Sequence, residues 1–196
     1  MRKAYKLADE LGGSATHCLI LADDMLPSRD AAAHVEEIAR IVGDRAVTFF
    51  TMDRQMMTEA IQAGRSWVTT LDGAWGGSIM IPRQWVQGFV DWSDATFIES
   101  YKHDDARMAA YVYTHELGSW WHTVPPLFQH ACAIASLSGQ NNSRRVSHLW
   151  RPEIGEMDWS IDVPWRGASS RTRMVNLDRY LTPWGEAYYE KVGKKP

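Results

Sequence analysis

Asp23-Asp24 closes the apolar run Thr16-His17-Cys18-Leu19-Ile20-Leu21-Ala22. In open α/β sheets ligands collect beyond the carboxyl ends of strands, so two carboxylates at that point suit a divalent cation and a phosphate. Asp24 would equally cap the turn that follows. A second acidic pair, Asp104-Asp105, opens a helical stretch, where carboxylates also favour the helix dipole. His130 stands at a polar–apolar junction after Pro125-Pro126-Leu127-Phe128-Gln129, and its neutral imidazole could complete a metal shell begun by carboxylates. Gly76-Gly77, after Trp75, would let a ligand approach bare backbone, or would simply make a tight turn. Trp120-Trp121 would stack on a sugar face or fill the core. His115, His122 and His130 do not have a zinc spacing.

These residues need a scaffold, and the pattern supplies an α/β one. Residues 2–11 read as a helix stopped by Gly12-Gly13. Residues 16–21 and 46–50 read as strands on either side of a helix over 31–42, with Val35, Ile38, Ala39 and Val42 on one face. Pro27-Ser28-Arg29-Asp30 supplies the turn and cap of that helix. The β-helix-β order predicts neighbouring parallel strands. Further strands are expected over 66–70 and 76–81. Pro82 then starts a helix over 83–91, and a second helix spans 106–117. The segment 120–126 reads as extended, because the residue before a proline is pushed out of the helical region. From 151 onward these signals weaken, and Pro152, Pro164 and Pro183 punctuate a Trp-containing stretch expected to wrap the domain. This divides the chain into a core over 1–150 and a C-terminal extension over 151–196.

The chain has 196 residues, enough for one sizeable core, and its net charge of −3 excludes a generally basic nucleic-acid binder. No run approaches the roughly 20 apolar residues of a membrane helix. The first eleven residues lack the apolar centre of a signal peptide, so the expected location is cytoplasmic. Cys18 and Cys132 sit in apolar surroundings and read as buried thiols of a reducing compartment. Disorder-like composition is confined to 140–145 and 191–196. Ten Trp in such a chain must mostly build a core or a stacking wall.

Taken in order, four blocks resemble small bacterial and phage glycosyltransferases of GT-A type. The stretch over 15–27 is close to that family's "THHLVLQDDVLPC" pattern. The Trp75-Gly76-Gly77 block, the Asp104-Asp105 pair and the Thr123-Val124-Pro125-Pro126-Leu127-Phe128-Gln129-His130 block are similar to its "WGG", "DD" and "TVPSLVQH" blocks. The resemblance covers about residues 1–150. Ala22, Ser28 and Pro126 stand where the family often has Gln, Cys and Ser. The resemblance implies a GT-A-like mixed sheet flanked by helices and transfer of a sugar from a UDP- or GDP-sugar to an acceptor hydroxyl. Asp24, with Asp23 beside it, and His130 would hold Mn²⁺ or Mg²⁺ against the donor diphosphate. Asp105, paired with Asp104, would be the general base of an inverting displacement. Gly76 and Gly77 would line the donor and acceptor cleft, with Trp75 as a stacking ring.

In the family, strand-helix-strand units that grip the nucleotide precede the first aspartate block. Here one helix precedes Asp23, so the expectation is either that a second subunit, a homo-oligomer or the Trp-rich extension completes the nucleotide site, or that donor binding is weak or lost. The acceptor would be a hydroxyl on modified phage DNA, a glycan or a protein. For DNA, Arg144, Arg145, Arg151, Arg171 and Arg173 would meet phosphates. Two other readings use the same residues: a non-catalytic carbohydrate-binding or virion assembly module on a degenerate transferase fold, and a two-metal nuclease built on Asp23, Asp24, Asp104 and Asp105.

Overall fold

A computed structural model describes residues 3, 6–7, 10, 13–70, 76–101, 103–131, 146–160, 165–166 and 181–193, with backbone alone at 165–166 and 192. Most of the expected 2–11 helix, Trp75, Cys132, the stretch 140–145 with Arg144 and Arg145, Arg171, Arg173 and the last three residues lie outside the described residues.

Short apolar runs between turn residues produce the strands. These are β1 (His17–Leu21), β2 (Met25–Pro27), β3 (Ala46–Thr48), β4 (Trp67–Thr70), β5 (Ser78–Pro82), β6 (Trp120–Thr123), β7 (Phe128–His130) and β8 (Trp165–Arg166). The helices are α1 (Ala31–Ile41), α2 (Arg54–Gln62), α3 (Val86–Thr96), α4 (Asp104–Thr114) and α5 (Pro183–Val192). Six strands form a mixed sheet in the order β1-β5-β3-β6-β4-β8, and β2 and β7 form a separate antiparallel ribbon. The protein is therefore α/β, with a mixed sheet between helices.

One expectation of that topology fails. β1 and β3 were expected to be parallel neighbours, but β5 lies between them and runs antiparallel to both. All five residues of β5 are buried, so it belongs in the middle of the sheet, where both faces are covered. The parallel neighbours are instead β3 with β6, and β4 with β8.

Alternation along the central strands separates two layers. Ala46 and Trp120 face a cluster with Phe89 and Val90 of α3, Met108 and Val112 of α4 and Tyr189 of α5. Val47, Met80, Trp67 and Trp121 face Ile38 and Val42 of the α1 side, together with Ile154 and Trp159. Trp120 and Trp121 thus point to opposite faces and are both buried, so they serve the core and offer no sugar platform. Of the tryptophans, Trp67, Trp85, Trp92, Trp120, Trp121 and Trp159 are buried, whereas Trp184 is exposed and stacks on Tyr188.

Helix limits shift for local reasons. Pro82 ends β5 rather than starting a helix, and a 3₁₀ turn over Arg83–Trp85 leads into α3, which continues to Thr96. α4 begins two residues earlier than expected and carries Asp104 and Asp105 in its first turn. α2 escaped the sequence reading although its signal is present: Asp53 caps it by accepting from the Met56 amide, and Met56, Met57 and Ala60 form its buried face. α5 likewise has a legible start, since Thr182 accepts from the Gly185 amide and Pro183 occupies the first turn.

Residues 150–160 are tied to the α1 layer. The Asp30 carboxylate does not cap its own helix. It accepts from the amides of Ile154, at 3.0 and 3.1 Å, and Gly155, at 2.8 Å. Burial opposes ionisation of Asp30, but these amides, its own amide and the Ser28 hydroxyl outweigh it and hold the carboxyl at about 2, below its ordinary 3.8. A carboxyl depressed in the folded state adds stability above its unfolded value, and that stability is lost as pH falls from 3.8 towards 2. Asp30→Asn should lower stability near neutral pH by about 1–2 kcal/mol. In urea melts at stepped pH, the gap to wild type should shrink through that acid window. A gap independent of pH would contradict the assigned role.

Candidate functional site

The strand directions bring the sequence-distant blocks to one end of the sheet. β1, β3 and β6 finish there, and β5 starts there, as the pairs Leu21 with Ser78 and Thr48 with His122 fix. The Ala22 amide donates to the Gly77 carbonyl at 2.8 Å, which locks the turn bearing Asp23-Asp24 to the start of β5. After β6, the chain is hung on the Phe49 carbonyl by the Leu127 amide at 3.0 Å and enters β7. In the ribbon Met25 lies opposite His130, and the Ala131 amide donates to the Asp24 carbonyl at 2.7 Å.

That ribbon joins Asp24 to His130. Asp24 Oδ2 lies 3.2 Å from His130 Nδ1, with the side chains 13% and 3% exposed. The edge of the imidazole meets the Phe50 ring at a centroid separation of 4.8 Å. Gln129 braces the strand: its amide group donates to the Ser147 carbonyl at 2.8 Å and accepts from the Ser147 amide at 3.0 Å. Asp23 is exposed beside the pair. Among the described residues no three His, Cys, Asp or Glu side chains converge on a possible metal point.

One carboxylate oxygen and one imidazole nitrogen are two donors of the kind that could begin a divalent-cation shell. Octahedral bonds of about 2.1 Å place neighbouring ligands about 3 Å apart, and such ions are ordinarily held by one or two protein groups plus substrate phosphates and water. The 3.2 Å between Asp24 Oδ2 and His130 Nδ1 is the separation of a direct carboxylate–imidazole contact, and it is also short enough for both to reach one ion.

Asp105 reaches the same end of the sheet through Gly76. A β-carbon built on Gly76 would sit 2.6 Å from Asp105 Oδ2 and 2.9 Å from its Cγ, so only glycine permits this approach. Asp105 Oδ1 accepts from the Ala106 amide at 2.9 Å. Gly77 has φ of +113°, and a β-carbon there would meet Met25 Sδ at 2.8 Å. Asp104 is half-buried in the same helical turn as Asp105. The buried Arg107 anchors that turn, donating to Ser93 Oγ at 3.1 Å and to the carbonyls of Ile98 and Tyr101.

Asp24, His130, Gly76, Gly77 and Asp105 therefore belong to one connected region. Sequence reasoning missed Phe50, Met25, Gln129 and Arg107. Phe50 and Gln129 act through contacts made across the fold, and only Arg107, a cation amid the apolar face of α4, carried a local signal.

The class that fold and site define is an α/β protein with an acid–histidine pair and a glycine-framed carboxylate at the carboxyl ends of its strands. Comparison with known proteins returned no matching family model, curated relative or solved structure. No helix among the described residues is long and apolar enough to cross a membrane.

Proposed function

We propose that this chain is a metal-dependent glycosyltransferase that moves a sugar from a UDP- or GDP-sugar to an acceptor hydroxyl, with inversion. The observation that carries this reading is convergence: blocks separated by up to about a hundred residues pair Asp24 with His130 and Gly76 with Asp105 at one sheet end. The mixed sheet between helices and the small ribbon holding the acid–histidine pair are consistent with a GT-A-like fold.

Asp24 and His130 would hold Mn²⁺ or Mg²⁺, which when bound supplies Lewis-acid neutralisation of charge on the nucleoside diphosphate. Asp105 and Met25 fill the space that side chains at Gly76 and Gly77 would take, so the glycines set the position of the Asp105 carboxylate beside which the donor sugar would bind. Asp105 takes the proton of the acceptor hydroxyl as its oxygen attacks the anomeric carbon, and the bond to the diphosphate breaks on the opposite face. The Ala106 amide holds one carboxylate oxygen and leaves Oδ2 directed at the glycine corner. The acceptor is a hydroxyl on modified DNA, a glycan or a protein; of the arginines assigned to DNA phosphates, Arg151 is described and exposed.

Isothermal titration with UDP- and GDP-sugars, with and without Mn²⁺, tests the reading. Metal-dependent binding is expected for wild type and a loss of at least about tenfold in affinity for Asp24→Ala, since a metal ligand is removed. Failure of every nucleotide to bind in a metal-dependent manner would overturn it. The two-metal nuclease needs carboxylates to gather around paired ions, and no such group of three forms among the described residues.

A further inference from the structure

A buried polar contact between two rings lies away from the candidate site, on the α1 face. His34 is buried at 7% exposure, and its Nδ1 lies 3.0 Å from Trp159 Nε1. An indole N–H can only donate, so Nδ1 must carry a lone pair. A neutral imidazole has one proton, which is therefore on Nε2, 3.4 Å from Asp30 Oδ2. Trp159 is itself buried, with its ring 5.5 Å from those of both His34 and Trp67.

We propose that Asp30, His34 and Trp159 form a proton-operated clasp that fastens residues 156–160 to α1 when His34 is neutral and lets them go when it is charged. Imidazolium carries protons on both nitrogens. Nδ1–H would then face the indole N–H, two buried donors with no acceptor between them. The same charge gains attraction from Asp30 on the other side of the ring. Neutral His34 thus favours Trp159, and charged His34 favours Asp30 alone.

Asp30 directly precedes its helix, which carries Glu36, Glu37 and Arg40, with Arg40 3.5 Å from Glu36; Glu153, Glu156 and Asp158 stand on the strap formed by residues 150–160. Arg29 offsets Glu153 from 3.8 Å, and the β4 side contributes Trp67, which is uncharged. The stem of the strap has separate fastenings, because Asp30 holds the amides of Ile154 and Gly155 and the Arg29 amide donates to the Pro152 carbonyl at 2.8 Å. Release is therefore local to the Trp159 end. There the indole of Trp67 still donates to the Trp159 carbonyl at 3.0 Å, and Ser66 donates to that of Asp158.

A consequence reaches the ribbon. Trp159 and Ile154 share a core cluster with Leu127 and Phe128, which lead directly to Gln129 and His130. Loosening of the Trp159 ring would weaken the part of that cluster it shares with Leu127 and Phe128, while Ile154 stays fastened. The importance of that loss for activity rests on the proposed site, whereas the clasp itself does not.

Nitrogen-15 spectra of the full chain between about pH 8 and pH 5, the range in which histidine changes charge, provide the test. The Trp159 indole signal is assigned through Trp159→Phe. His34 is expected to show a bare Nδ1 and a protonated Nε2 at the alkaline end. As His34 takes up its second proton, exchange of the Trp159 indole proton should accelerate on the order of tenfold, the loss of about one buried hydrogen bond. His34→Gln offers an acceptor to Trp159 and a donor to Asp30 without a titrating proton, so its indole should stay protected throughout. A proton on Nδ1 at the alkaline end, a His34 that stays neutral to pH 5, or an indole still protected beside charged His34 would each overturn the clasp. The wild-type spectra decide this even if the variant does not fold, and no measurement depends on glycosyl transfer.

Discussion

Asp105→Asn is expected to lower sugar transfer by about 10²–10⁴-fold, the usual contribution of a positioned general base. The substitution is nearly isosteric, and its remaining oxygen can still accept from the Ala106 amide, so the helix start should persist. Metal-dependent nucleotide binding, which the proposed function assigns to Asp24 and His130, should change little. Gly76→Ala provides a second approach to the same carboxylate. Its methyl would arrive 2.6 Å from Oδ2 and displace it, and misplacement of about 1 Å at a reacting group costs on the order of a hundredfold. Steady-state kinetics paired with thermal melts separate these effects from unfolding. If Asp105→Asn retained wild-type transfer at unchanged stability, the base would lie elsewhere. If neither variant nor wild type transferred sugar while all bound a glycan, the non-catalytic carbohydrate module would be the better reading.

Trp159→Ala should have the largest effect on stability, about 3–5 kcal/mol, the range for truncating a buried tryptophan. Three things are lost together: the packing against Trp67, the edge contact with His34, and the donor to Nδ1. For a domain of about this size each kcal/mol shifts the melting temperature by about 2–4 °C, so a fall of about 6–20 °C is expected. Trp159→Phe keeps much of the ring packing and should cost markedly less. Calorimetry of the two variants checks this ordering. Equal losses would mean that the indole N–H, rather than the packed ring, carries the interaction.

The Asp30 carboxylate shows why part of this arrangement was not legible beforehand. Asp before a helical run ordinarily reads as a cap, and the local pattern could say no more. Its actual partners lie more than 120 residues away at Ile154 and Gly155. His34 gave no motif at all, because its role depends on Trp159 approaching from the far side of the sequence. By contrast, the omission of α2 was not imposed by missing information: Asp53, Met56, Met57 and Ala60 state it at helical spacing.

Residue chemistry over short spans was decided by the sequence alone. The strand after Gly13, the helix that follows Asp30, the acidic pair beyond β1 and the acidic first turn of α4 all follow from local apolar periodicity and backbone preference. Tertiary structure decided which of these segments meet. Only in the fold does β5 enter between β1 and β3, and only there do Trp120 and Trp121 become core residues of opposite layers. The pairing of Asp24 with His130 and of Asp105 with Gly76 arises the same way. The physical reason is that strand order is set by burial of whole faces, a sum over many distant side chains, whereas a helix cap or an alternating strand is set within a few residues.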